Sequence, residues 1–306
     1  MYLIVVNFVI SQPMKIAFFI FSLAIGIQVA TAQQYHFQTY SVQQGMGSAS
    51  VNQIFQDSKG YIWFATQGGG VNRFNGKEFK NFTKSEGLPS NDVTYIAEDK
   101  KGEIWVATSE GVLHFNGREL PKQKAVKPFI SDLVFCIFAA PDSKLYFATQ
   151  ANGVKVWDGK KIQSITTANG LPSNEVYTVT QDRKGRIWFG TEDGIAMMDK
   201  GKISTFSGHP SISDNGFFSS HTDKQGNVWF GSVMGKVIIF QPNETIIDYP
   251  LPSAQQNDLM GSIAQDSLGN IWIASDHGLL KIPTDVTLSS PQSKPTIIWG
   301  KLSFKL

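Results

Sequence analysis

Hydrophobic and polar residues alternate in short runs along most of the chain, and clusters rich in Asp, Lys, Asn and Gly separate these runs. Between residues 87 and 117 the alternation predicts three β-strands, at Val93–Glu98, Glu103–Ala107 and Val112–Phe115. The intervening Asp-Lys-Lys-Gly suits a tight hairpin with a bulge, because Asp accepts hydrogen bonds from backbone N–H groups and Gly adopts a positive φ. The stretch therefore predicts an antiparallel unit with short turns.

The same unit can be laid on the sequence six times. Its marker is an Asp, a short polar turn, a Gly and an apolar residue followed by Trp, although the third copy has Tyr and lacks the turn Gly. A fourth strand is clearest at Glu78–Phe82 and Lys161–Ile165. The aromatic positions fall 41 to 43 residues apart, at Trp63, Trp105, Tyr146, Trp188, Trp229 and Trp272.

This period is typical of the four-stranded blades of a β-propeller. We therefore predict an all-β fold, a propeller of six repeats of about 42 residues that covers residues 33–290. A blade standing alone would leave one apolar face in water. The six large aromatic side chains are accordingly expected to have a structural role, packing against the neighbouring blade.

Closing such a ring requires its two ends to meet. Tyr35–Tyr40 alternates like a fourth strand, whereas the last repeat, Leu259–Ile282, supplies three strands and then runs into prolines. We therefore expect the N-terminal strand at residues 35–40 to complete the last blade. The alternatives are a ring that stays open, or a seventh blade formed by sequence outside this chain.

Residues 1–32 are apolar and carry little charge, which predicts a signal peptide. Ile16–Val29 has the length of its hydrophobic core, and Ala30-Thr31-Ala32 provides the small-x-small cleavage pattern. Met14 is an alternative start of translation. A retained membrane anchor is the competing interpretation, but the run is shorter than the roughly 20 residues that span a bilayer. We expect an exported protein that is periplasmic or located in the cell envelope.

Composition limits the kinds of function. The net charge is +2 and no basic cluster is present, so a nucleic-acid partner is not expected. The single cysteine, Cys136, excludes an intramolecular disulfide, and its apolar surroundings in the sequence predict that it is buried. The five histidines fall in different copies without metal-ligand spacing, so neither a metal nor another cofactor is expected.

The repeated pattern D-x-x-G-x-I-W-x-A/G-T, followed by a G-V/I strand and by G-L-P-S-N, resembles the two-component regulator propeller repeat. This repeat is found in extracytoplasmic sensor regions of bacterial hybrid and histidine kinases. The likeness covers roughly residues 35–285 and recurs in phase through six copies. The fifth copy departs from the pattern at residues 211–215, where G-L-P-S-N is replaced.

The resemblance implies a ligand-sensing propeller of a two-component receptor, which binds a carbohydrate or another small polar ligand without turnover. In similar proteins the propeller is followed by a small immunoglobulin-like domain, a transmembrane helix and a kinase. We accordingly expect residues 291–306, with the strand-like run Thr296–Leu306, to be a linker and the first strand of such a following domain. Membrane attachment would then depend on segments downstream of this chain.

The candidate site lies in two sets of loops that share one end of a propeller, namely the connections into each blade and the loops between second and third strands. Polar residues vary from copy to copy there, and loops on a rigid ring are the usual place for recognition. The competing interpretation is that the Ser-Asn-Asp segments only cap turns. The lysine-rich hairpins are expected at the opposite end. The candidate ligand-binding residues are Asn91, Glu110, Gln150, Asn152, Asn174, Glu192, Asp193, Phe217, Asp276 and His277.

Two other functions compete with small-ligand binding. The ring could bind a partner chain, either a second copy in a homodimer or another receptor chain. The Asp-turn-Gly-Trp hairpins also resemble the Asp boxes of sialidases. Those enzymes use an arginine triad, but this chain has four arginines, two of which, Arg183 and Arg186, share one turn. A glycosidase-like enzyme is therefore disfavoured, and no catalytic residue is predicted.

Overall fold

The computed structural model describes residues 39–120, 130–206, 208–213, 215–251, 258–283 and 296–300, the last range by its backbone alone. These residues contain 23 β-strands and three short 3₁₀ turns, at Val42–Gln44, Lys84–Glu86 and Thr167–Asn169, and no α-helix. The strands form six antiparallel sheets, which follow one another along the chain as blades 1 to 6. The predicted six-bladed, all-β propeller is confirmed.

Blades 1 to 3 are built from the first eleven strands. Blade 1 contains β1 (Val51–Gln56), β2 (Ile62–Thr66), β3 (Gly70–Phe74) and β4 (Phe79–Phe82). Blade 2 contains, among the described residues, β5 (Val93–Glu98), β6 (Ile104–Thr108) and β7 (Gly111–Phe115). Blade 3 contains β8 (Val134–Ala139), β9 (Leu145–Thr149), β10 (Val154–Trp157) and β11 (Ile162–Ile165).

Blades 4 to 6 are built from the other twelve strands. Blade 4 contains β12 (Val176–Gln181), β13 (Ile187–Thr191), β14 (Gly194–Asp199) and β15 (Lys202–Thr205). Blade 5 contains β16 (Phe217–Thr222), β17 (Val228–Ser232), β18 (Val237–Phe240) and β19 (Ile246–Tyr249). Blade 6 contains β20 (Met260–Gln265), β21 (Ile271–Ser275), β22 (Gly278–Ile282) and β23 (Thr296–Gly300). The first strands of successive blades contact one another in chain order, so they line the axis of the ring.

One aspartate holds the hairpin between the first two strands of each regular blade. In blade 1, Asp57 Oδ1 accepts hydrogen bonds from the backbone N–H groups of Lys59 and Tyr61, both at 2.9 Å. Its Oδ2 accepts a bond from the indole N–H of Trp63 at 2.8 Å. The same indole bond, at 2.8 to 3.0 Å, joins the Asp and Trp of blades 2, 4, 5 and 6. The aspartate thus ties the turn to the ring that packs in the core.

The rings of Trp63 and Trp188 pack between neighbouring blades, as predicted. The ring centroid of Trp63 lies 6.0 Å from that of Phe115 in blade 2, and the centroid of Trp188 lies 4.6 Å from that of Phe240 in blade 5. Both tryptophans are almost completely buried. Since burial of a large apolar side chain contributes about 1.5–3 kcal/mol, these rings are major contributors to the interfaces between blades.

Blade 3 departs from the regular hairpin. Tyr146 is buried at the Trp position but has no indole N–H to donate, and Ala140 occupies the position of the turn aspartate. Asp142 pairs with Lys144 at 2.7 Å on the surface. Ser143 has a φ of 70°, in the left-handed region that glycine occupies in the other five hairpins. A residue with a Cβ is strained in that region by about 1–2 kcal/mol. In the same blade Cys136 is buried, as predicted, and burial raises the pKa of its thiol.

The outer strand of blade 6 differs from the expectation. β23 pairs antiparallel with β22, with Lys281 opposite Thr296. Of the N-terminal strand expected in this position, residues 35–38 lie outside the described residues, and Thr39 and Tyr40 lie in no strand. The ring of Tyr40 packs in blade 1 instead, with its centroid 4.9 Å from that of Phe74. Among the described residues, the segment that completes blade 6 is therefore residues 296–300.

The expected role of residues 296–306 is corrected for the part that the structure describes. Residues 296–300 belong to the propeller sheet and not to a following domain, while 301–306 lie outside the described residues. The physical reason is that β22 would otherwise leave its outer edge unpaired, and an adjacent run of β-branched and aromatic residues satisfies it.

The predicted signal peptide at residues 1–32 also lies outside the described residues. Across the part of the chain that the structure describes, no helix has the length and apolar character needed to cross a bilayer. Export therefore stays a prediction from the sequence.

Candidate ligand-binding face

Two sets of loops meet at one end of the propeller, here termed the loop face. The first set is the lead-in segments to the first strands, at 48–50, 89–92, 131–133, 172–175, 215–216 and 258–259. The second set is the loops between second and third strands, at 67–69, 109–110, 150–153, 192–193, 233–236 and 276–277. The second strand of each blade runs from the hairpin that follows the first strand to the loop that precedes the third. The hairpins between first and second strands therefore lie at the end opposite the loop face.

Backbone hydrogen bonds join the two sets of loops. In blade 4, the N–H of Glu192 donates to the carbonyl of Glu175 at 3.0 Å, and the equivalent bond forms in blades 1, 2, 3 and 5. Between blades 3 and 4, the N–H of Gly153 donates to Asn174 O at 2.9 Å. Gly153 has a φ of 68°, and a Cβ there would lie 2.0 Å from Ile165 O, so only glycine fits. The loop face is a hydrogen-bonded scaffold.

Two of the predicted site residues hold this scaffold together. Asn91 Oδ1 accepts a hydrogen bond from the backbone N–H of Lys84 at 2.6 Å, and Asn174 Oδ1 accepts one from Thr167 N–H at 2.9 Å. Each amide thereby fastens the 3₁₀ turn that precedes it in the chain. These contacts match the competing interpretation, in which the Ser-Asn segments cap turns.

Four other predicted residues have exposed side chains, namely Glu110, Gln150, Asn152 and Asp193. Glu110 forms an ion pair with Lys84 at 2.8 Å, with more than half of both side chains exposed. Asn152 Nδ2 donates to Asp132 Oδ1 at 2.6 Å. Their polar groups are open to solvent at the loop face, where a ligand can reach them.

Glu192 is positioned by an aromatic hydroxyl. The hydroxyl of Tyr177, on the first strand of the same blade, donates to Glu192 Oε2. Burial, together with the hydrogen bond to Glu192 and its negative charge, raises the pKa of Tyr177 well above its ordinary value. The phenol therefore stays protonated at neutral pH and continues to donate. As a result the carboxylate is held in one place although the residue is exposed.

The predicted residues of blade 6 pair with the lead-in segment of their own blade. His277 Nδ1 lies 2.5 Å from Asp258 Oδ1, and the backbone N–H of His277 donates to Asp258 Oδ2 at 3.2 Å. Asp276 Oδ2 accepts from the backbone N–H of Leu259 at 3.2 Å. These side-chain bonds join the two loops of blade 6, so both predicted residues contribute to the scaffold.

Phe217 is not accessible to a ligand, so the prediction for this residue is wrong. Phe217 is completely buried, with its ring centroid 6.1 Å from that of Phe230. The first residues of the first strands in blades 2, 3, 4 and 6 are also completely buried, at Val93, Val134, Val176 and Met260. The accessible ring belongs to the next residue, Phe218, which is 36% exposed.

The second residue of each first strand occupies a β-bulge, which the sequence analysis missed. In every blade the pairing between first and second strands skips this residue. The six bulge residues are Asn52, Thr94, Phe135, Tyr177, Phe218 and Gly261. Because the first strands line the axis, the bulge residues surround the mouth of the central channel beside the loop face. Alignment of the six first strands would have shown three aromatic residues in succession at this position.

Three bulge residues form a continuous aromatic surface, here termed the aromatic arc, made of Phe135, Tyr177 and Phe218 from blades 3, 4 and 5. The ring centroid of Tyr177 lies 5.4 Å from that of Phe135 and 5.3 Å from that of Phe218. The interplanar angles are 44° and 40°, so the three aromatic rings pack in tilted pairs across blades 3, 4 and 5.

The bulge residues of the other blades are polar or lack a side chain. Asn52 Nδ2 donates to Val93 O at 2.7 Å, and Thr94 Oγ1 donates to Val134 O at 2.6 Å. Each of these bonds crosses to the first strand of the next blade. With Gly261 in blade 6, one side of the channel mouth is aromatic and the other is polar or open.

The two ends of the propeller also differ in charge. The loop face, as defined above, contains eight carboxylates and one lysine. The hairpins at the other end contain seven carboxylates and eight basic residues, so their charges nearly balance. The basic residues confirm the prediction that the lysine-rich turns lie there: Lys59, Lys100, Lys101, Lys144, Arg183, Lys184, Arg186 and Lys224. The field at the loop face therefore disfavours anions.

The fold and this end-to-end division define a class, a repeat propeller with structural hairpins at one end and variable polar loops at the other. Three segments, residues 45–68, 87–110 and 170–193, match the family described as "Two component regulator propeller". Each segment contains the first and second strands of one blade, in blades 1, 2 and 4. The resemblance inferred from the sequence is confirmed for these three segments.

Several solved structures share the fold. The extracellular domain of BT4673 from B. thetaiotaomicron is 24% identical, with a TM-score of 0.69 over 83% of this chain and 34% of that one. The extracellular domain of the hybrid two component system BT3049 from the same organism is 23% identical, with a TM-score of 0.66 over 81% and 35%. This chain therefore spans about a third of the length of both.

An enzyme shares the fold as well. Virginiamycin B lyase from Staphylococcus aureus is 15% identical, with a TM-score of 0.61 over 78% of this chain and 86% of that one. At such identities the likeness establishes the fold and not the activity. No curated protein sequence matches the chain.

Proposed function

We propose that this propeller is the extracellular recognition domain of a two-component signalling receptor, and that it binds a carbohydrate or similar small polar ligand at the loop face without turnover. One observation carries the proposal. Loops fixed by repeated backbone bonds present different exposed polar side chains in successive blades. A fixed scaffold with variable polar groups supports recognition, because binding residues lie disproportionately on loops that a rigid scaffold positions.

The receptor assignment is supported by the family repeat and by the fold shared with the extracellular domains of BT4673 and BT3049. Both of those chains are much longer than this one. Under the proposal, the propeller supplies recognition, and other parts of the receptor carry the output across the membrane.

Export is tested by mass spectrometry of protein produced in a bacterial host. Cleavage after Ala32 predicts that Gln33 is the mature N-terminus, because the small residues Ala30 and Ala32 satisfy signal peptidase. Recovery of an intact Met1 or Met14 form from the cytoplasm would contradict export.

Ligand binding is tested by thermal-shift screening against a saccharide panel. A bound saccharide raises the melting temperature by mass action, with about 2.7 kcal/mol of stabilisation when its concentration is 100 times Kd. An unchanged melting temperature with every saccharide would contradict the ligand part of the proposal.

Binding of another protein chain is a second candidate, and one surface favours it. Ile54 on β1 is 62% exposed and Val51 is 37% exposed, whereas the equivalents of Ile54 in blades 2 and 3, Ile96 and Ile137, are buried. Blade 1 therefore leaves apolar area uncovered on its first strand. Analytical ultracentrifugation of the wild type and Ile54→Asp tests this candidate. A dimer in the wild type that dissociates in the variant would support it.

A further inference from the structure

We propose that the aromatic arc is the seat of the ligand, and that the ligand is a pyranoside without negative charge, stacked on Tyr177 and Phe218 with its hydroxyl groups on Glu192. This inference rests on the proposed function, since it names the seat and the ligand class within the loop face.

The aromatic arc is accessible to a ligand. Tyr177 and Phe135 are partly exposed and Phe218 is 36% exposed, although all three lie on first strands whose other large apolar residues are mostly buried. Three touching rings in a concave channel mouth are the usual apolar component of a small-molecule site. The C–H face of a pyranose is positively polarised and matches the negative face of an aromatic ring.

A fixed polar group, the Glu192 carboxylate, lies beside the rings. The Tyr177 hydroxyl holds Glu192 Oε2, which leaves lone pairs on both carboxylate oxygens for ligand hydroxyl groups. A Cβ at Gly216 would lie 2.9 Å from Glu192 Oε2, so the carboxylate lies directly over the segment that leads into Phe218. A sugar resting on the arc would therefore have its hydroxyl groups within reach of a fixed acceptor.

There is open space beside the aromatic arc, at Gly261. A Cβ placed on Gly261, the bulge residue next to Phe218 around the ring, would meet nothing closer than Ala274 O at 4.0 Å. The φ of Gly261 lies outside the left-handed region, so the backbone does not require glycine there. The missing side chain therefore leaves room beside the aromatic arc for a ring-sized group.

The negative charge of the loop face limits the class of ligand. The eight carboxylates and one lysine of the loop face repel uronate and sulfated sugars and tolerate neutral or amino sugars. Within the carbohydrates, the structure thus favours a ligand whose rings carry hydroxyl or ammonium groups.

The test combines a glycan array with calorimetric titration of the glycan that binds best. The array holds neutral, amino and acidic oligosaccharides. The variants are Phe218→Ala, which removes a stacking surface, Glu192→Gln, which removes the charge of the acceptor, and Gly261→Leu, which fills the space. Lys101→Ala at the hairpin end is the matched control. Circular dichroism and the melting temperature verify the fold of each variant.

We expect a neutral or amino oligosaccharide to bind, and we expect each of the three variants to weaken it about tenfold or more, as loss of one good stacking or polar contact does. Lys101→Ala should bind like the wild type. If Phe218→Ala or Gly261→Leu fails to fold, the surface substitution Glu192→Gln carries the test.

Three outcomes overturn the inference and differ in what they leave standing. Selective binding of uronate or sulfated glycans contradicts the ligand class. Binding of a neutral or amino sugar with equal affinity in all three variants contradicts the seat but leaves the proposed function intact. Failure of every glycan to bind the wild type contradicts both.

Discussion

The hairpin end and the loop face use the same repeats in opposite ways. At the hairpin end, five blades repeat one arrangement, in which an aspartate binds its own turn and the indole of the buried tryptophan, as Asp57 does with Trp63. At the loop face, the backbone bonds repeat while the exposed side chains differ, for example Glu110 in blade 2 and Asn152 in blade 3. The repeated contacts therefore stabilise the blades, and under the proposed function the side chains that differ between blades bind the ligand.

The largest loss of stability is expected when one of the buried tryptophan rings is removed. Trp188→Ala should destabilise the propeller by about 3–5 kcal/mol, because it leaves a cavity between blades 4 and 5. Trp105→Ala should behave alike. Tyr146→Ala should cost less, because that ring takes no part in an indole bond. Chemical denaturation measures all three, and equal tolerance at the three positions would contradict a shared structural role.

A smaller loss is expected from the aspartate that binds the ring. Asp182 accepts four hydrogen bonds, including one from the buried Trp188 indole at 2.9 Å, and its side chain is 4% exposed. Asp182→Ala should cost about 1–3 kcal/mol, because a buried donor loses its acceptor. The control is Asp142→Ala in blade 3, whose side chain is 49% exposed and which should cost within about 0.5 kcal/mol. Equal losses would show that the four hydrogen bonds of Asp182 together add nothing.

Low pH should remove the contribution that the hairpin aspartates make to stability. Burial opposes ionisation of Asp182 and Asp266, but hydrogen bonds outweigh it and lower the pKa of both, that of Asp266 to about 2. A carboxyl with a lowered folded-state pKa contributes fully above the ordinary value of 3.8 and loses that contribution as pH falls through the folded value. The free energy of unfolding should therefore fall between pH 3.8 and about 2. Denaturant titrations at stepped pH measure this, and Asp182→Asn should flatten the dependence.

The irregular hairpin of blade 3 offers a stabilising change. Ser143→Gly should raise the free energy of unfolding by about 1 kcal/mol, because glycine removes the strain of a φ of 70°. The reciprocal change, Gly185→Ser in blade 4, should lower it by a similar amount, since Gly185 has a φ of 83°. A gain from both substitutions, or from neither, would contradict the strain argument.

The smallest effect on stability is expected at the loop face. Glu192→Ala and Asn152→Ala should change the free energy of unfolding by less than about 0.5 kcal/mol and weaken ligand binding. Lys101→Ala should change neither. Calorimetric titration with a saccharide found by screening measures the affinities. Loss of affinity in the lysine variant, with the loop variants unaffected, would place the site at the hairpin end.

The blades were predictable because their determinants are local. The Asp, the turn Gly and the Trp of one hairpin lie within seven residues, so one copy contains everything needed to specify the turn. The outer strand of blade 6 was not predictable in this way. β23 pairs with β22 across residues 284–295, and that pairing depends on which sheet edge is free once the ring has formed.

The sequence predicted that the candidate residues share one end of the propeller, but it did not predict which of their side chains are accessible. Asn91 and Asn174 satisfy turns, and the sequence signature of an Asn that caps a turn is the same as that of an Asn that binds a ligand. Phe218, the residue after Phe217, is the extra residue of a β-bulge, which shifts the pairing of the strand by one residue and requires no special residue type. The contact between Tyr177 and Glu192 joins two strands, and no local pattern encodes it.

The bonds that join successive first strands have a consequence for how the ring forms. Asn52 reaches Val93, Thr94 reaches Val134, and Ser219 Oγ donates to Met260 O at 2.6 Å, and the members of each pair are 40 or 41 residues apart. Every such contact links one blade to the blade that follows it in the chain. Order can therefore spread from blade to blade as in a one-dimensional array. If the chain crosses a membrane unfolded from its N-terminus, each newly emerged blade finds its docking surface already folded.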